Sequence, residues 1–301
     1  MADFVSNFWH WFIVIPTVIG ILGLFPLAIM NRGKKPGGKP ETMGHVWDED
    51  LEEYNNPLPR WWINLFYITI IFSVAYLVLY PGLGKFEGIL GWTSKGEYQS
   101  EIAAAEKEFG PLFKKYASDD IAALAKNPEA IKTGERLFVN YCATCHGADA
   151  RGAPGYPNLR DQDWLYGGKP GQIKTSILNG RNGMMPGWQA ALGEEGVKNT
   201  TEFVLSLSKT DVDLESARAG RKHFNTMCLA CHGPDGRGNQ ALGGPNLTDE
   251  VWLYGGSRKE IVRSISAGRQ GKMPPHRDFL GEDKVHVLTA YIYGLSNGPR
   301  Q

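Results

Sequence analysis

Apolar residues are unevenly spread along the chain. From Trp9 to Met30 the sequence reads "WHWFIVIPTVIGILGLFPLAIM", with no formal charge and His10 near one end. From Ile63 to Leu83 it reads "INLFYITIIFSVAYLVLYPGL", with Asn64 as an early polar residue. A helix rises about 1.5 Å per residue, so either run reaches across a hydrocarbon layer of roughly 30 Å. The pattern therefore predicts two membrane spans, about 9-30 and 63-83. Trp9, Trp11, Trp61, Trp62, Tyr80 and Trp92 flank them at the depth where interfacial aromatics belong. The first run reads as an uncleaved span rather than a signal peptide. Asp3 is the only charge before it, and no small-residue cleavage site follows. Pro16 and Pro26 inside that run are tolerable in a membrane and are expected to kink it.

Beyond residue 92 the character changes to polar and Gly-rich. Segments such as "AIKTGERLFVNYC" and "GRKHFNTMC" place apolar residues three to four apart, which predicts helices. Glycine, proline and asparagine mark the long connections that follow as loop. Most of this outer region occurs twice. One copy reads "YCATCHGADARG…PNL…WLYGG…ILNGRNGMMPGW", the other "MCLACHGPDGRG…PNL…WLYGG…ISAGRQGKMPPH". Cys142 maps to Cys228 and Trp164 to Trp252, with one short indel between them. Each copy closes on a helical segment, "VKNTTEFVLSLS" from Val197 and "VHVLTAYIYGLS" from Val285. The expected division is a membrane anchor over 1-92, linker helices over 93-128, and two repeat domains over 129-209 and 214-301. The polar stretch "SKTDVDLES" joins the last two.

Composition adds two things. At 301 residues the chain has room for two or three compact units, and its net charge of zero gives no footprint of a nucleic-acid binder. Charge placement is more informative. The connection 31-60 carries Arg32, Lys34, Lys35, Lys39 and Arg60, whereas the segment before the first span has no Lys or Arg. Positive residues stay on the cytoplasmic side, so that loop is expected to be cytoplasmic and everything after residue 83 external or periplasmic. The acidic run from Asp48 to Glu53 reads by itself as a solvated face.

The four cysteines sit as Cys142-Cys145 and Cys228-Cys231, each pair followed directly by histidine, His146 and His232. C-x-x-C-H is the attachment sequence of c-type haem. Two thiols spaced by one helical turn reach the two vinyl groups of one porphyrin, and the adjacent imidazole then lies under the ring to bind iron. Other readings fit less well. A redox CxxC wants a βαβ setting, zinc wants a second pair of good ligands, and disulfides do not explain two following histidines. Small repeats with few large aliphatics also need something besides side chains to fill them.

A haem iron with histidine on one side takes a sixth ligand or keeps an open position. Aligning "GRNGMMPGW" with "GRQGKMPPH" sets Met184 against Lys272 and Met185 against Met273. Met185 and Met273, each before a proline in a turn-rich segment read as loop, are the predicted ligands, and Met184 is expected to pack. The repeat leaves open whether each methionine serves the iron of its own copy or of the other. Met227 lies too close to Cys228 to serve. His276 is the rival sixth ligand, and His10, His45, His223 and His286 read as surface or satisfied histidines. The carbonyls within Pro157-Asn158-Leu159 and Pro245-Asn246-Leu247 are candidates to fix the axial imidazoles. Trp164 and Trp252 are expected to pack near the porphyrin.

The two spans, the loop "GHVWDEDLEEYNNPLPRWW" and the paired CxxCH units resemble subunit III of the cbb3-type cytochrome c oxidases, over essentially the whole chain. The resemblance implies a mainly α fold, with two N-terminal transmembrane helices followed by two tandem class I cytochrome c domains. It implies two covalently bound haem c groups, attached at Cys142, Cys145, Cys228 and Cys231 and ligated by His146, Met185, His232 and Met273. It also implies a bacterial inner-membrane location with periplasmic haem domains, in contact with membrane lipid. The role implied is non-catalytic: electrons pass from a donor cytochrome c toward a monohaem cytochrome c subunit and a catalytic haem-copper subunit. That catalytic subunit reduces oxygen to water and pumps protons. The acidic run becomes a subunit contact on this view. An independent membrane-anchored dihaem cytochrome and, further off, a dihaem peroxidase are the alternatives.

Overall fold

The computed structural model describes residues 5–30, 41–56 and 58–298. Arg32, Lys34, Lys35 and Lys39, on which the expected orientation rests, lie outside the described residues. The chain divides into two units, residues 1–107 and 108–301.

The first unit is built on two apolar helices, α1 (Asn7–Met30) and α2 (Arg60–Leu79), both long and apolar enough to cross a membrane. At 24 and 20 residues they measure roughly 36 and 30 Å. They pair antiparallel. Phe25 meets Tyr67 at one level, while at the other His10 Nδ1 accepts from the backbone N–H of Lys85 at 2.9 Å. Lys85 Nζ also donates to Asn7 Oδ1 at 2.5 Å. The second helix stops at Leu79 rather than continuing to residue 83, because Tyr80 is extended and Pro81-Gly82 follow. Between the helices, a stretch read from sequence as plain loop forms a hairpin, β1 (Thr42–Trp47) and β2 (Leu51–Tyr54). Asp48 and Glu49 turn it with positive φ.

Helix α3 (Ser94–Ala117) runs into the second unit and is followed by a single turn, α4 (Ile121–Leu124), capped by the Asp120 carboxylate. Each repeat then opens on a helix: α5 (Pro128–Tyr141) in the first, α9 (Leu214–His223) in the second. A side-chain cap from Asn127 or Asp213 starts each one. The CxxCH turns follow, α6 (Ala143–His146) directly, and α10 (Leu229–His232) after a π-helical turn over Phe224–Cys228. Next come a long loop and a helix, α7 (Pro170–Asn179) or α11 (Arg258–Ala267). A five-residue strand precedes the closing helix: β3 (Arg181–Met185) before α8 (Gln189–Ser206), and β4 (Arg269–Met273) before α12 (Arg277–Asn297).

Packing does not follow the repeats. One core joins Phe138, Leu159, Ile173 and Ile177 of the first copy to Leu280, Val285, Leu288 and Ile292 of the second copy's closing helix. The other joins Phe224, Leu247, Ile261 and Ile265 to Val197, Val204 and Leu205 of the first copy's closing helix. The closing helices are therefore exchanged, α12 lying on α5 and α8 on α9. Two glycines make the crossings close. A Cβ on Gly134 would stand 2.6 Å from Tyr291 Cβ, and one on Gly220 would stand 1.9 Å from the Asn199 carbonyl oxygen. A third cluster ties the linker to the same helices through Tyr116, Ile121, Leu124, Ala130, Val287 and Ala290. There His286, buried, is satisfied as expected, its Nε2 2.9 Å from the Asp119 carbonyl and its Nδ1 3.3 Å from Lys174 Nζ.

Candidate functional site

The exchange is carried by β3 and β4, which pair antiparallel in one two-stranded ribbon. Its register sets Gly183 opposite Gly271, Arg181 opposite Met273 and Met185 opposite Arg269. These segments read as loop from sequence because each is short and its hydrogen-bonding partner is the equivalent piece of the other copy. Strand alternation also decides between the adjacent methionines. Met185 turns inward, whereas Met184, expected to pack, is 76% exposed. Glycine closes each hand-over. Gly180 and Gly268 have positive φ, and a Cβ there would stand 2.4 Å from the Met273 carbonyl oxygen and 2.3 Å from that of Met185. The backbone N–H of Trp188 donates to Ile265 O at 2.9 Å, and that of His276 to Ile177 O at 3.0 Å.

The predicted ligands fall into two groups. Met273 and Cys142 pack against the core holding Phe138 and Leu288. Met185 packs into the core that contains Cys228 and Phe224, and the Phe224 ring lies 6.5 Å from that of His232. Each methionine thus sits with the cysteine-histidine motif of the other repeat. Around each motif the second contacts agree. His146 Nδ1 lies 3.0 Å from the Pro157 carbonyl oxygen, and His232 Nδ1 lies 3.1 Å from that of Pro245. The carbonyl accepts only, so Nδ1 carries the proton and Nε2 keeps its lone pair for a metal. Burial holds both imidazoles below their ordinary pKa, against the opposing effect of that hydrogen bond. The neighbouring His276 adds to the depression at His146.

None of the four cysteines pairs with another, and Cys145 and Cys231 are exposed. Burial pushes Cys142 and Cys228 up to about 11. Four buried side-chain polar atoms have no hydrogen-bond partner among the described residues: Thr201 Oγ1, Ser208 Oγ, Trp252 Nε1 and His276 Nδ1. Trp164 and Trp252 pack against the first and second cores respectively. Paired thiols, an imidazole with Nε2 free, an inward thioether and the unpaired buried Trp252 N–H fit a porphyrin that carries iron at its centre and carboxylates at its edge.

Two family matches cover most of the chain. Residues 39–87 match the N-terminal domain of cytochrome oxidase-cbb3, FixP. Residues 129–204 and 215–292 each match cytochrome c oxidase, cbb3-type, subunit III. The chain belongs to the cbb3-type cytochrome c oxidase subunit III family. Among its relatives is the cbb3-type cytochrome c oxidase subunit CcoP of Rubrivivax gelatinosus, 47% identical over 297 residues, covering 98% of this chain and 97% of that one. The FixP subunit of Azorhizobium caulinodans is 38% identical over 278 residues, 87% of this chain and 94% of its own. The CcoP subunit of Cereibacter sphaeroides is 35% identical over 291 residues, 90% and 100%. As a subunit III, the chain is an electron-transfer component of a cbb3-type oxidase, and its two cytochrome domains imply haem c binding. Its two apolar helices are suited to anchoring it in a membrane.

Proposed function

We propose that this subunit III carries electrons from a donor cytochrome c, through two covalently attached haem c groups, toward the monohaem and catalytic haem-copper subunits that reduce oxygen and pump protons. Cys142 and Cys145 hold one group and Cys228 and Cys231 the other. His146 and Met273 would hold the iron of the first group, and His232 and Met185 that of the second. The observation carrying this reading is the placement of each methionine in the core of the opposite repeat's CxxCH motif. The bound group supplies a reversible one-electron iron couple, raised in potential by a thioether ligand. The chain's residues do the rest. The Pro157 and Pro245 carbonyls hold the imidazole rings through Nδ1, which would leave Nε2 to bind the metal. Met185 and Met273 would supply each iron's second protein ligand, which would leave no position for oxygen and suits a relay role.

Replacing Met185 and Met273 singly by Gln tests the assignment. Met273→Gln should abolish the methionine-to-iron charge-transfer band of the haem at Cys142 and Cys145 and lower its potential, sparing the other haem. Met185→Gln should do the converse. Retention of both bands in either variant would refute the ligation. Appreciable peroxidase turnover by the unaltered protein would favour an enzyme instead. The bacterial inner-membrane location, with haem domains periplasmic and the 31-60 connection cytoplasmic, rests on the positive residues of that connection. Cysteine labelling of a Ser100→Cys variant from the periplasm checks it, and labelling only after the membrane is opened would reverse the orientation.

A further inference from the structure

The repeats share a residue set that haem attachment and axial ligation leave unused: the tyrosine of each "WLYGG", the arginine of each "GR", and a serine on the helix between them. In the first copy the Arg181 guanidinium lies over the Tyr166 ring, 4.5 Å from its centroid. Arg181 Nε donates to Ser176 Oγ at 2.9 Å, and that hydroxyl donates on to the Gln172 carbonyl at 2.9 Å. The second copy repeats the arrangement with the same distances. Arg269 lies 4.5 Å over Tyr254, its Nε donates to Ser264 Oγ at 2.9 Å, and Ser264 donates to the Glu260 carbonyl at 2.9 Å. Each tyrosine hydroxyl also lies beneath the ribbon's midpoint, 3.3 Å from where a Cβ on Gly183 or Gly271 would be.

Register gives these clamps their meaning. Arg181 begins β3 and stands opposite Met273, while Arg269 begins β4 and stands opposite Met185. An arginine clamped by stacking and a hydrogen bond fixes its own strand against its own repeat. Through the ladder it also fixes the strand opposite, which brings the other repeat's methionine.

We propose that Arg181 with Tyr166, and Arg269 with Tyr254, are positioning residues for the axial methionine of the opposite repeat, Met273 and Met185 respectively. The inference rests on the crossed ligation described above. It makes an unusual demand: Arg181 and Met185 share one short strand, yet act on different irons.

The test uses the full-length haem-loaded protein in detergent, titrated potentiometrically while the methionine-to-iron band is followed. Met273→Gln and Met185→Gln identify which redox wave belongs to which haem. Arg181→Gln, Arg181→Lys and Tyr166→Leu should each weaken the band of the haem that Met273→Gln alters and lower the midpoint of that wave. Lys keeps the charge but not the planar stack, so it should fail to rescue. Tyr166→Phe, which keeps the ring, should behave as the unaltered protein. Arg269→Gln should move the other wave. An Arg181 or Tyr166 effect on the wave assigned to Met185, an effect on neither, or full rescue by Arg181→Lys would each overturn the proposal. If Arg181→Gln does not accumulate, Tyr166→Leu against Tyr166→Phe decides alone. Should Met273→Gln itself leave the haem at Cys142 and Cys145 unchanged, the ligand assignment fails rather than the clamp.

Discussion

Glu202 lies on α8 and is only 4% exposed. Arg258 donates to it from Nε at 2.6 Å and from the guanidinium terminus at 3.1 Å, and the Asp213 backbone N–H adds a bond at 3.1 Å. The Arg258 hydrogen bond holds its carboxyl below the usual carboxylate range. An acid with a depressed folded pKa adds stability that is fully present above its unfolded value and is lost as pH falls toward the folded one. Arg258→Ala should therefore lower stability at neutral pH, since it leaves the buried Glu202 carboxylate without its charged donor. The deficit should shrink in acid, as thermal unfolding across pH would record; a deficit independent of pH would contradict this account. Nothing in the repeat pattern foretold the pair, because its alignment sets Ala290 opposite Glu202 and Pro170 opposite Arg258. The cysteine-histidine candidates were legible for the opposite reason, since the CxxCH spacing is a recognisable motif repeated in both copies. The Pro157 and Pro245 carbonyls could be named in advance because both copies carry the same PNL turn.

Among the elements, the loops after those PNL turns meet at a seam between the two copies. Asp161 and Asp163 come from one side and Asp249 from the other. Asp161 and Asp163 are raised above the ordinary carboxylate range, in each case first by burial and then by the Asp249 charge. Acids raised in the folded state contribute stability that is present at low pH and lost as pH climbs through the folded pKa. Asp163→Asn should accordingly stabilise the neutral protein by up to about 1 kcal/mol, with the gain vanishing in mild acid, in the same unfolding assay. No gain at neutral pH would mean that the three carboxylates do not oppose one another. The β3–β4 ribbon was the element least visible beforehand. Five residues carry no readable alternation when the partner strand lies in another repeat, so "GRNGMM" passed for loop. The two apolar helices were plain, because a membrane demands length and composition and little else. Helix α2 ended early only through the local effect of Pro81.

For the whole molecule, sequence boundaries and packing boundaries differ. Self-similarity marks two tandem units, and it cannot say which closing helix covers which opening one, since α8 and α12 are themselves copies. The exchange shows only in the packed cores, which join Phe138 to Leu288 and Phe224 to Val204. A chain ended after Lys209 supplies a direct check. Under exchange it lacks both α12 and Met273, so its haem at Cys142 and Cys145 should be open on one side and bind carbon monoxide readily when reduced. A truncated protein that stays six-coordinate with a methionine signature would mean that the repeats close on themselves.

The exchanged helices also set the order of events during biogenesis. His146 is synthesised well ahead of Met273, and at ~5–20 residues per second the interval between them is on the order of ten seconds. On the crossed ligation proposed above, a group held at Cys142 and Cys145 would wait for Met273 until β4 has been made. Its pocket would then be completed only when the second repeat folds, which makes the first motif one of the last parts of the protein to be finished.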